Sequence, residues 1–258
     1  MSALAAAQVP DLAPAVADLL GAGPELLFAT VSGAHLYGFP SRDSDVDLRG
    51  VHLLRLREVI GLREGEPTRT RMWQRDGLDL DLVTHDLLKF ARLMLRRNGY
   101  VLEQLLSPLV VHTTAVHAEL TALAPGAVTA GHAHHYRGFA TTQWRLHEKN
   151  GELKPLLYTF RGLLTGIHLM RTGRVLAHLP TLVEEVPEAP AYLPDLVAAK
   201  AEAEHGPTPE LPSVRLAGDV AALHGALTAA QGASRLPEHP SAQDALHDLV
   251  VRTREAAV

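Results

Sequence analysis

Four aspartates carry the clearest capacity for chemistry in this chain. Asp45 and Asp47 stand two residues apart in a segment, Ser44 to Leu54, whose alternation predicts a strand. In a strand, residues i and i+2 leave the same face about 7 Å apart at Cα. Two carboxylates that close repel each other unless a cation sits with them. Hard divalent cations such as Mg²⁺ take oxygen ligands, commonly one or two carboxylates plus substrate phosphates. Residues 78–83 (LDLDLV) repeat the pattern, with Asp79 and Asp81 on one face and Leu78, Leu80 and Leu82 on the other. One of these two would supply a third carboxylate. Three carboxylates around two metals suit in-line phosphoryl or nucleotidyl transfer. A DxD pair alone is more often a polar strand face, so the reading needs a second feature.

The loop upstream supplies one. Leu26 to Val31 (LLFATV) is a compact apolar run that reads as a buried strand, and it leads directly into Ser32-Gly33-Ala34-His35-Leu36-Tyr37-Gly38. Glycines let backbone amides approach an anion closely. About a dozen residues ahead of the DxD pair, such a loop would offer amides and a hydroxyl to a triphosphate, while the carboxylates hold its metals.

The elements that must position these groups divide into two halves. Residues 12–20 read as a short helix, followed by the strand candidates above. A helical period runs from Asp86 to Asn98, and from about residue 100 the chain reads as helical: 100–107, 115–123, 130–149, 153–172, 192–204, 214–231 and 241–256. Residues 179–213, rich in Pro, Glu and Ala, read as a long surface connection with one helix inside it.

Composition narrows the functional classes. The 258 residues carry 24 Lys plus Arg against 29 Asp plus Glu, a net charge of −5, which disfavours a protein that coats duplex DNA. There is no cysteine, so disulfides, thiolate zinc sites and a cysteine nucleophile are excluded. The first twenty residues lack a basic segment and carry Asp11 and Asp18. We therefore expect no signal peptide, no membrane span and a cytoplasmic location.

Ser32-Gly33-Ala34-His35-Leu36-Tyr37-Gly38 followed by Ser44-Asp45-Val46-Asp47-Leu48-Arg49-Gly50 resembles the nucleotidyltransferase signature of the DNA polymerase β superfamily, and most closely its RlaP-like branch. Residues 80–89 and the segment Lys154–Arg161 extend the likeness, which covers about residues 26–170. The resemblance implies an α+β fold: a small mixed nucleotidyltransferase sheet with flanking helices over residues 1–112, then an all-helical C-terminal domain over 113–258. It implies Asp45, Asp47 and Asp81 as catalytic and metal-holding residues for two Mg²⁺ or Mn²⁺ ions, with Asp79 as the alternative to Asp81. Ser32, Gly33, Tyr37, Ser44 and Arg49 join the nucleotide-binding set. The substrate would be an NTP, with ATP among the candidates, and the acceptor an RNA end in a repair pathway. One departure is Ala34, where the family usually has a serine whose hydroxyl contacts phosphate.

In the helical half, Lys154, Tyr158 and Arg161 follow i, i+4, i+7 spacing and complete the expected nucleotide-binding set. His132, His134 and His135 invite a metal reading that their lack of a neighbouring carboxylate disfavours. Lys89, Arg92, Arg96 and Arg97 read as a solubilising helix surface, and Trp73 and Trp144 as packing residues. Two other functions compete: the same chemistry on a small-molecule or protein hydroxyl, and a catalytically silent nucleotide-binding module, for which Ala34 speaks.

Overall fold

The computed structural model describes residues 3–21, 25–41, 44–202 and 211–257. It has the expected α+β architecture, with a mixed sheet in the N-terminal part and helices through the C-terminal part. The chain falls into two compact units, Met1–His35, Asp45–Ala127 and Pro240–Val258 in one, Leu36–Ser44 and Val128–His239 in the other. These units interleave along the sequence, in place of a single boundary at 112/113.

Among the described residues of the first unit, five strands form one sheet in the order β3-β4-β2-β1-β5. They are β1 (Leu26–Val31), β2 (Val46–His52), β3 (Thr68–Arg75), β4 (Leu78–Asp86) and β5 (Val110–His112). All six residues of β1 are buried, as an unbroken apolar run requires. In β2 and β4 the leucines and valines Val46, Leu48, Leu80 and Leu82 alternate with Asp47, Arg49, Asp79 and Asp81, and that alternation fixes their register. β2 and β4 run parallel, while every other pairing is antiparallel. The connection between them passes through a short helix, Arg57–Ile60, and the edge strand β3.

Packing against the sheet fixes its position. Phe28 of β1 meets the Phe90 ring edge-on at 5.5 Å and the His117 ring face-on at 4.3 Å, from the helices Leu87–Met94 and Ala115–Leu123. The C-terminal helix Gln243–Glu255 returns to the same unit. There Arg254 donates to Asp86 Oδ1 at 2.5 Å and to the Leu54 carbonyl at 2.6 Å, and both side chains are buried. Asp86 also accepts from the Leu54 and Leu88 amides, so it caps the helix that follows β4.

The second unit is helical. Its centre is the helix Leu153–Thr172, of which sixteen residues are buried, an apolar-all-round pattern that demands neighbours on every side. The helices His132–Asn150, Leu179–Glu185, Leu193–Glu202 and Ser213–Gly232 provide them. The expected surface connection over 179–213 is corrected here. Leu179, Leu182, Val186, Leu193 and Leu196 are buried, because the Pro and Glu residues that suggested a loop punctuate two helices whose leucines face inward. Residues 203–210 lie outside the described set. His132 is buried and receives the Thr129 amide on Nδ1 at 3.2 Å. His134 lies 3.3 Å from Gln231 Nε2.

Candidate active site

The residues after β1, expected as a loop, form the short helix Gly33–Tyr37, whose first residue lies over one carboxylate. The Ser32 amide donates to the Asp47 carbonyl at 2.8 Å, which ties the end of β1 to the start of β2. Gly33 follows with φ of +61°, a left-handed backbone that disfavours any residue with a Cβ. A Cβ at Gly33 would also stand 2.8 Å from Asp47 Cγ and overlap its Oδ2. Glycine is therefore required twice at this position. Ser32 is fully buried, and its Oγ has no hydrogen-bond partner among the described residues, while Ala34 is buried beside it. An orphaned buried hydroxyl at a strand-to-helix junction with close backbone approach is a feature that a phosphate-facing segment would show.

Asp47 and Asp81 are direct neighbours across the parallel β2–β4 pair. A single guanidinium nitrogen joins them. Arg49 Nη2 donates to Asp47 Oδ1 at 2.7 Å and to Asp81 Oδ2 at 3.0 Å. Its other nitrogens are anchored too: Nη1 to the carbonyls of Leu48 at 2.9 Å and Asp81 at 2.8 Å, and Nε to the Tyr100 hydroxyl at 3.4 Å. Burial works against the Arg49 charge, but Tyr100, Asp47 and Asp81 outweigh it, and the group titrates above its ordinary value. Arg49 thus sits where the sequence put it, on the carboxylate face, with its donors turned to protein acceptors. Asp45 precedes β2 and is exposed. Asp79 is exposed as well and accepts from Gln74 Nε2 at 2.9 Å, with Gln74 its partner on β3.

The remaining expected residues belong to the helical unit. Arg161 is buried with its Cζ 3.8 Å from the Tyr37 ring centre, 5.3 Å from Phe139 and 5.9 Å from Tyr158. Tyr37 meets Tyr158 edge-on at 5.5 Å. Tyr37, Tyr158 and Arg161 are therefore brought together, in an aromatic enclosure around a cation. Lys154 is half-buried in the first turn of the same helix. Ser44 Oγ lies 2.8 Å from Ser41 Oγ and accepts from the Ser41 amide at 3.0 Å.

A family model described as RlaP, the RNA repair pathway DNA polymerase beta family, matches residues 11–252. The chain belongs to this family. Beyond the family model, an uncharacterized protein of Methanocaldococcus jannaschii is 31% identical over 153 residues, which cover 57% of this chain and 61% of that protein. The chain thus spans less than two thirds of that relative. A crystal structure of a nucleotidyltransferase-like protein from Exiguobacterium sibiricum is similar at 13% identity and a TM-score of 0.34, over 85% of this chain and 75% of that one.

In this RlaP-family chain the donor set of the first unit is made of oxygens only, as a hard divalent cation requires. Among the described residues no group of three His, Asp or Glu side chains is placed to hold a metal. The set that does converge is the Asp47–Asp81 pair, which fits a cation that completes its shell with substrate phosphates. No described helix is long and apolar enough to cross a membrane. Two residues escaped the sequence reading. Tyr100 reaches Arg49 from the helix Gly99–Leu105, 51 positions downstream, and no spacing rule would have found it. Lys200 is buried with Nζ 3.0 Å from Ser41 Oγ, yet its sequence context, Ala-Ala-Lys-Ala-Glu, reads as a solvated helix face.

Proposed function

We propose that this chain is a metal-dependent nucleotidyltransferase that moves an NMP from an NTP to an acceptor hydroxyl and releases pyrophosphate, with an RNA end as the acceptor. The observation that carries the reading is the Asp47–Asp81 pair in direct register, lying under the Gly33 turn and fixed by Arg49. We assign Asp81 as the carboxylate that receives the acceptor proton. Asp79 lies two β3 pairings away from Asp81 and is engaged by Gln74. The backbone at Ser32 and Gly33 contacts the triphosphate, and the Ser32 hydroxyl takes the place of the one that Ala34 lacks.

Asp47 and Asp81 would hold Mg²⁺ or Mn²⁺, with Asp45, which precedes the strand, as a further candidate ligand, and the ion would supply neutralising charge to the triphosphate and acidify the acceptor hydroxyl. Arg49 keeps the two carboxylates at fixed separation while the acceptor is bound. For Tyr37, Ser44, Lys154, Tyr158 and Arg161 we propose nucleotide contacts, which the family resemblance supports. Reaction by this route is positioning plus charge neutralisation, with little covalent work for the protein.

The test is incubation with Mg²⁺ or Mn²⁺, each α-labelled NTP and short RNAs with varied ends, beside the Asp45→Ala/Asp47→Ala variant. Label on RNA with the native protein, absent with the variant, is the expected result. Pyrophosphate release without labelled RNA moves the acceptor to a small molecule or a protein hydroxyl. Nucleotide binding with no turnover refutes the enzymatic reading.

A further inference from the structure

We propose that the strip of β3 and β4 running from Met72 past His85 to Lys89 receives the phosphate backbone of the acceptor, an RNA strand whose terminal hydroxyl lies at Asp81. The inference rests on the nucleotidyltransferase reading and deepens it, because it says where the acceptor lies and which residues hold it.

The register defines the strip. Asp81, Val83 and His85 share one face of β4, and their neighbours on β3 are Met72, Thr70 and Thr68 in the same order. At about 3.3 Å per residue, His85 stands about 13 Å from Asp81. The Gly33 turn lies over Asp47 on β2, across Asp81 from β3. In-line transfer places the attacking hydroxyl opposite the leaving pyrophosphate. With the triphosphate at the Gly33 turn, the acceptor therefore enters over β3 and β4.

The two ends of the strip suit the two parts of a nucleic-acid strand. Met72, opposite Asp81, is 81% exposed and offers an apolar surface to the terminal nucleoside. At the far end Lys89, from the helix Leu87–Met94, donates to the Thr68 hydroxyl, which lies 2.9 Å from His85 Nδ1. The Thr68 proton then points to Nδ1, which leaves the ring its own proton on Nε2. Burial, Lys89 and Arg49 each push the His85 pKa down, so the neutral ring adds an N–H donor beside the ammonium. Among the described residues no carboxylate pairs with Lys89, and its charge is left for an anion.

The sequence groups Lys89 with Arg92, Arg96 and Arg97 as a solubilising surface, and the structure separates them. Lys89 is half-buried against Thr68, whereas Arg92 is exposed and lines a groove with Gln243 and Asp244 of the C-terminal helix. A small-molecule acceptor at Asp81 would not span the distance to His85 and Lys89. A strand of several nucleotides does.

The experiment is fluorescence anisotropy of labelled single-stranded RNAs, from a dinucleotide to an octanucleotide, with the full chain and no NTP, between about 50 and about 300 mM salt. Native affinity should rise at least about ten-fold with length. Lys89→Gln should lose most of that gain and flatten the slope of log affinity against log salt by about 0.7, the share of one phosphate on a single strand. Lys89→Arg should restore both. Arg92→Gln, the same change of charge on the same helix, should stay within about two-fold of native with an unchanged slope. Met72→Ala should raise the KM for RNA about three-fold and leave the KM for NTP unchanged. Equal losses in Lys89→Gln and Arg92→Gln, or no loss in either, overturn the inference. Native affinity that does not grow with RNA length also overturns it, and this decides the matter if Lys89→Gln does not fold. Binding that depends on Lys89 in a protein that releases no pyrophosphate from any NTP counts against the nucleotidyltransferase reading, and leaves the RNA surface standing.

Discussion

Replacing Gly33 by alanine separates backbone strain from damage to the carboxylate site. Two costs arise at this position. The left-handed backbone at φ +61° penalises an alanine by about 1 kcal/mol. In addition, the new methyl overlaps Asp47 Oδ2 and comes within 2.8 Å of its Cγ, so the carboxylate must rotate away and release Arg49. The Asp47 side chain is 28% exposed, and the lost charged contact is therefore worth only about 1 kcal/mol after solvent screening. Gly77 is the matched control, since its φ is +81° and a Cβ there meets nothing within 4 Å. Gly77→Ala thus carries the backbone penalty alone. At about 2–4 °C per kcal/mol for a chain of this size, Gly33→Ala should melt about 6 °C below native and Gly77→Ala about 3 °C below. Activity should divide them far more sharply. Displacing a reacting group by about 1 Å costs on the order of 100-fold, so pyrophosphate release should fall by that much in Gly33→Ala and stay native-like in Gly77→Ala. Paired thermal melts and initial-rate assays make the comparison. Equal activity in the two variants would refute the claim that the Gly33 turn sets the position of Asp47.

Three further outcomes follow from the same geometry. Asp86→Ala leaves the buried Arg254 guanidinium and two amides without their acceptor, so urea unfolding should show a loss of about 3–5 kcal/mol. Burial lowers His52 from 6.5 to about 4, with Asp86 opposing the shift. Between those values the unfolded chain binds the proton and the folded one does not, so stability is full above pH 6.5 and falls on acidification toward pH 4. This group contributes about 2 kcal/mol after allowance for screening, and denaturation curves of His52→Asn should show a flatter pH dependence across that window. Arg161→Lys keeps the charge but loses the planar stacking on Tyr37, and calorimetry should find it less stable by about 1–2 kcal/mol.

Much of this site was legible in the sequence because strand alternation is a local property. Val46 and Leu48 against Asp47 and Arg49, and Leu80 and Leu82 against Asp79 and Asp81, declare both strands and their faces. Which of Asp79 and Asp81 stands beside Asp47 was not legible, since both share a face and only the parallel register between β2 and β4 pairs Asp47 with Asp81. β3 was missed because an edge strand needs no apolar face. Thr68-Arg-Thr-Arg-Met-Trp-Gln-Arg75 gives no hydrophobic period, and Met72 opposite Asp81 is 81% exposed. Its signal was the turn: Asp76-Gly77, both at positive φ, is the dipeptide that a two-residue hairpin favours. β5 has only three residues, too few for any periodicity. The Arg49–Tyr100 contact depends on packing between a strand and a helix far apart in sequence.

The most direct test of the central claim compares Asp81→Asn with Asp79→Asn in pyrophosphate release from an NTP with Mg²⁺ and acceptor RNA, under conditions where the native protein turns over. The two changes are chemically identical, on the same face of the same strand, and only one removes a carboxylate beside Asp47. The account predicts a loss of at least about 100-fold for Asp81→Asn and near-native rates for Asp79→Asn. Equal losses, or a larger loss at Asp79, would contradict it.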